Sequence, residues 1–70
     1  MTLYRPHQYG NVAGLMNQVA GFINANRGNA RRVEIGYRVL GLLQMSHWAY
    51  GEKRGEYLAK AQGAFRLAFM

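Results

Sequence analysis

The chain has 70 residues, half of them hydrophobic, no cysteine and a formal net charge of +6. Disulfides and thiolate zinc sites are thereby excluded, and a chain this short, burying only about 60% of its unfolded surface, is expected to gain stability by association. The nine basic residues against three acidic ones favour nucleic acid, an anionic membrane surface or an acidic protein as partner, but they are spread evenly and form no basic tail or block.

Residues 1–10, MTLYRPHQYG, read as an extended lead-in: Pro6 biases Arg5 away from helix, and Gly10 and Asn11 offer a stop and an N-cap. They lack the apolar core of a secretory signal, and no apolar run approaches the ~18 residues of a membrane span. A cytoplasmic protein without a transmembrane segment is expected.

From Val12 to Ala25 a heptapeptide unit is written twice, VAGLMNQ and then VAGFINA, with no charged side chain in either copy. Val12, Leu15, Met16, Val19, Phe22 and Ile23 recur at the i, i+3, i+4 spacing of one helix face, which predicts a first helix over about 11–26. The other face carries Gly14, Asn17, Gln18, Gly21 and Asn24, where a solvated helix normally carries Glu and Lys. Two interior glycines cost roughly 1 kcal/mol each relative to alanine. That cost is most easily tolerated where another backbone comes close. Both faces are therefore expected to be covered, one by the core and the other by a partner or a second copy; the plainer alternative is a marginal helix with a neutral exposed face.

Arg27 and Gly28 end this helix, the glycine being suited to a left-handed cap position, and Asn29 is placed to cap the next. The second helix, about 30–50, is apolar on more than one face: Val33, Tyr37 and Leu40 on one, Ile35, Val39 and Leu42 on another, with Leu43 between. Such a helix is expected to be central. Gly51 and Gly55 bracket a polar segment read as a break, or alternatively as the middle of one long helix. A third amphipathic helix over about 56–69 is built on Tyr57, Leu58, Ala61, Ala64, Phe65, Ala68 and Phe69. The apolar end, AFRLAFM, reaches beyond one helix face and is expected to dock as the completion of the core, or else to meet a partner. The predicted fold is all-α, a single domain over 1–70 with three helices in a small bundle, antiparallel neighbours and completion by self-association.

Tyr37, Leu40 and Gly41, followed by Ala61, Phe65 and Ala68, resemble fragments of a tetratricopeptide repeat. The separation of the two halves exceeds that of the 34-residue repeat by about two helical turns. What the local resemblance implies is only that the second and third helices form an antiparallel hairpin.

Catalytic chemistry has little material here. The chain has no Asp, one Ser and one Thr. Ser46 and His47 are adjacent, and neighbours on a helix do not face each other. His7 and His47, at unrelated positions, are too weak a pattern for a metal site. Glu52 and Glu56 lie four apart, but Lys60 follows Glu56 at the same step, so a solvated ion pair is expected there. No enzyme activity, cofactor or metal is expected.

The remaining constellation is basic and aromatic. Arg27, Arg31, Arg32 and Arg38 surround the start of the second helix, where free backbone N–H groups and the helix dipole favour an anion. With Lys53 and Arg54 they are the candidates for binding phosphate or an acidic partner, although Glu34 is placed to pair with Arg31 and Arg38. A helix so apolar around its circumference is poorly suited to a DNA groove. Tyr4, Tyr9, Tyr37, Trp48, Tyr50 and Tyr57 match the residue types of interface hot spots, with Tyr37 and Trp48 expected in the core. The favoured function is a small basic helical protein–protein interaction module, an accessory factor or inhibitor of a larger assembly acting by docking or occlusion. Its size and charge are those of small accessory proteins of phages and mobile elements, by compositional analogy. Its expected interface is Gly14, Asn17, Gln18, Gly21, Asn24, Phe69 and Met70, with a homo-oligomer and an acidic protein as partners. The alternative is a nucleic-acid-binding regulator that contacts phosphates through the arginines at the second helix.

Overall fold

Three stripes of buried residues, each stepping three and four positions along the chain, organise the molecule. The computed structural model describes residues 12–70, with helices α1 (Val12–Ala25), α2 (Ala30–Trp48) and α3 (Glu52–Leu67) and no strand among the described residues. The expected lead-in and the Asn11 cap lie outside the described residues. In α1 the stripe is Val12, Leu15, Val19 and Ile23; in α2 it is Gly36, Val39, Leu43 and Ser46; along α3 and its last turn it is Leu58, Ala61, Phe65 and Ala68. Residues three and four apart share one helix face, so each helix turns a single seam inward.

The middle helix packs on both neighbours, α1 on one side and α3 on the other. This is why α2 has apolar residues on more than one face: Val33, Ile35, Leu40 and Leu42 are partly buried against the core to either side of the central seam. At the far end of the bundle α1 and α3 also meet, through Phe22, Phe65 and Phe69. Phe22 stands edge-on to Phe65 at 5.1 Å between centroids, and Phe69 lies 5.4 Å from Phe22 and 5.3 Å from Phe65. Phe65 and Ala68 thus dock into the core, while Phe69 stays half exposed and Met70 is open to solvent.

Within the chain the close approach of two helices falls at Gly36, a position the sequence pattern did not single out. A Cβ there would overlap Cγ1 of Ile23 and lie 3.7 Å from Cδ1 of Phe22. Gly14 and Gly21 face open space instead, because they lie on the arc of α1 turned away from α2.

The connections differ from expectation in two places. Gly28 does not take the left-handed conformation, since Gly51 is the one described glycine with positive φ. The α1–α2 turn is held by side chains: Asn26 Nδ2 donates to the Phe22 carbonyl at 2.8 Å, and Asn29 Oδ1 accepts from the Arg32 N–H at 3.1 Å as the N-cap of α2. The second difference is the onset of α3, which begins at Glu52. Ala49 is extended, and Gly51, at φ 58° and ψ −135°, reverses the chain in one step. The expected break is present but falls at 49–51, so that 52–55 is the first turn of α3 and not the middle of one long helix. Its polarity is that of an exposed first turn, where Glu52 suits the helix dipole.

Ser46 closes this end. Its hydroxyl, fully buried, donates to the Arg54 carbonyl at 3.3 Å and so ties the end of α2 to the first turn of α3. None of the three helices is long and apolar enough to cross a membrane.

Candidate functional site

Two shallow hollows open beside α2 and α3. The larger, about 800 Å³, lies beside the reversal at Gly51, with Met45, Trp48 and Tyr50 on one wall and Lys53 and Tyr57 on the other. A smaller one, about 320 Å³, lies between Arg38 and Leu42 of α2 and Lys60, Ala64 and Leu67 of α3. Lys60 Nζ stands 5.9 Å from the centre of the Tyr57 ring. Gly41 lines the larger hollow and Gly63 the smaller, and at both a Cβ would meet nothing within 4 Å.

Local sequence explains the exposure of the aromatic residues. Tyr37, Gly41, Met45 and Trp48 step four, four and three positions along α2, so they form a second stripe on a face that neither α1 nor α3 covers. Tyr37 and Trp48, expected in the core, are in fact 58% and 73% exposed, and Tyr50, carried out by the extended backbone after α2, is 85% exposed. The seam of α2 is already filled by Val39 and Leu43. A third apolar stripe on a helix with two neighbours has nothing left to pack against. That surplus was the signal for the exposed hollow; Leu42 was missed because it was assigned to packing and Lys60 because it was expected to pair with Glu56, while Met45 and Gly63 gave no signal of their own.

The basic residues divide into two groups. Arg27, Arg31 and Arg32 collect at the opposite end of the bundle, where each donates to an acceptor of the protein itself. Arg31 Nη2 donates to the Leu67 carbonyl at 2.7 Å and Nη1 to the Met70 carbonyl at 3.3 Å, so that one guanidinium caps the C-terminal end of α3. Arg32 Nη1 donates to Asn26 Oδ1 at 3.0 Å, and Arg27 Nη2 to Asn24 Oδ1 at 2.7 Å. Lys53 lines the larger hollow, and Arg38 and Lys60 line the smaller. Arg54 is half-buried beside Ser46, and its Nε is enclosed without a hydrogen-bond partner.

Carboxylates temper this charge less than expected. The one ion pair among the described residues is Lys53 to Glu56, at 3.8 Å on the surface. Glu34 pairs with neither Arg31 nor Arg38, and Glu56 pairs with Lys53 while Lys60 lies over the Tyr57 ring. Ser46 and His47 point apart, the serine buried on Arg54 and the exposed imidazole edge-on to Trp48 with 5.4 Å between centroids.

The residues expected at an interface, Gly14, Asn17, Gln18, Gly21, Asn24, Phe69 and Met70, are all exposed. Five of them share the outer arc of α1 with Ala13, Ala20 and Ala25; none of these residues is charged, and the Arg27 guanidinium reaches the end of the arc at Asn24. Phe69 reaches the C-terminal end of that helix through Phe22, which brings the tail of the chain beside the arc. The hollows and the arc lie on different sides of the bundle.

Compared with known proteins, the chain matches no family model, and neither a curated protein nor a solved structure shows significant similarity to it.

Proposed function

We propose that the chain is a non-enzymatic protein–protein interaction module, which docks on a larger assembly as an accessory factor or inhibitor. The observation that carries this reading is the exposed row of Tyr37, Met45, Trp48 and Tyr50. Large apolar and aromatic residues in such a cluster lose water on docking and supply most of an interface's binding energy. Arg38 and Lys60, which line the neighbouring hollow, suit an acidic partner, while Lys53 is paired with Glu56. The outer arc of α1, whose own residues are uncharged, offers a second contact on which another copy or a large assembly packs with little charge to desolvate. Docking then acts by occlusion, or by holding the target in one conformation.

A phosphate would have to compete for Arg27, Arg31 and Arg32 with the carbonyls and asparagines they already engage, which favours the protein reading over nucleic acid. The discriminating experiment captures the tagged chain from its source cells, with and without nuclease treatment, beside a Trp48→Ala/Tyr50→Ala variant. The expected result is a protein retained by the parent chain and lost by the variant. Capture of nucleic acid that raised salt releases, with no protein dependent on Trp48 and Tyr50, overturns it.

A further inference from the structure

The turn between α2 and α3 is built unlike the turn between α1 and α2. Side chains of Asn26, Asn29 and Arg32 hold the first with hydrogen bonds, whereas Gly51 gives α3 no side-chain cap. The second turn reverses the chain within Ala49, Tyr50 and Gly51. It depends on Gly51 at φ 58° and ψ −135°, a conformation that residues with a Cβ scarcely adopt. Little else there opposes a helix: Ala49, Glu52, Lys53 and Arg54 are helix formers, and the stretch has no proline. Made helical, the turn would join the free N–H groups that open α3 to the free carbonyls that close α2.

We infer that this turn is a hinge through which two copies of the chain exchange α3. In the exchanged dimer α2 and α3 of each copy run as one helix over residues 30–67, about 57 Å long, and the two long helices lie antiparallel with their hinges crossing. Each α3 seats on the α2 of the other copy, where Leu58, Ala61 and Phe65 rebuild the core they share with Val39 and Leu43 in the monomer. Because those contacts are common to both states, the hinge decides the balance between them. A short connection held in a costly conformation favours exchange. Tyr50 lies in the hinge and Trp48 beside it, 85% and 73% exposed in the monomer, at the point where the second copy comes nearest. Exchange needs no partner but a second copy and stands apart from the docking proposed above.

The test refolds three chains from urea over a range of concentrations: the parent, Gly51→Ala, and a variant with Gly-Ser-Gly-Ser inserted after Tyr50. Light scattering gives the mass of each species, and amide exchange its backbone protection. Alanine penalises the closed turn and favours the continuous helix, at two hinges per dimer. Gly51→Ala is therefore expected to dimerise at least about tenfold more tightly than the parent. The insertion relaxes the turn and interrupts the long helix, so it is expected to stay monomeric. The amides of residues 50–53 are expected to exchange slowly in the dimer and fast in the monomer. A folded Gly51→Ala chain that dimerises no better than the parent overturns the inference. So does a dimer whose amides at 50–53 remain open, or an insertion variant that dimerises as well as a dimeric parent. Should Gly51→Ala fail to fold, the other two chains decide: a parent dimer at high concentration that the insertion abolishes upholds the exchange, and a parent that stays monomeric overturns it.

Discussion

Glycine separates structural from open positions in this chain. At Gly36 a methyl group has no room, because Ile23 and Phe22 of α1 press on the backbone of α2. Gly36→Ala is expected to lower stability by about 1–3 kcal/mol through overpacking. Gly14 and Gly21 have open space above them, so alanine there is expected to raise stability by up to about 1 kcal/mol each through helix propensity. Urea unfolding of the three variants measures both signs, and a stabilised Gly36→Ala would refute the close helix approach. Gly51 is a third kind, kept for its positive φ rather than for space. The repeated VAG motif made Gly14 and Gly21 conspicuous in the sequence, whereas Gly36 is isolated and its role exists only once α1 lies across it.

For a helix, the question is what satisfies its ends. The Asn29 cap of α2 was legible because an N-cap side chain bonds within its own turn. The cap on α3 was not, since Arg31 reaches the Leu67 and Met70 carbonyls from 36 and 39 positions away in sequence. Read along the chain, Arg31 was an anion ligand at a helix start. Replacement by glutamine is expected to leave the bundle folded and to speed amide exchange in the last turn around residues 66–70, with the amides of α2 unchanged. Uniformly faster exchange would mean that Arg31 supports the whole bundle rather than one helix end.

For the whole molecule, stability rests on three short seams meeting at α2. Leu43 is fully buried at their centre, and Leu43→Ala is expected to cost about 2–5 kcal/mol, which removes most of the stability of a domain this small. Loss of the cooperative thermal transition measures it; a variant that melts within a few degrees of the parent would place the core elsewhere. The uncharged arc of α1 bears on assembly. If it joins two copies, light scattering gives a discrete multimer for the parent chain and a folded monomer for Gly21→Arg, whose new side chain projects into open space. A parent chain that runs as a monomer makes the arc ordinary surface.

By itself the sequence determined the class of object: helical periodicity placed three helices, and the spacing of Val12, Leu15, Val19 and Ile23 fixed the buried face of α1, because a helix face is set by local geometry alone. It located the α1–α2 turn and the Asn29 cap for the same reason. What only the tertiary structure decided is which apolar stripes find a neighbour. Val39 and Leu43 do, while Tyr37, Met45 and Trp48 do not, although hydrophobicity along the chain treats them alike. Burial depends on how many helices surround α2 and from which sides. With two neighbours and three stripes, one stripe must face outward, and its Gly41, Met45 and Trp48 line the larger hollow.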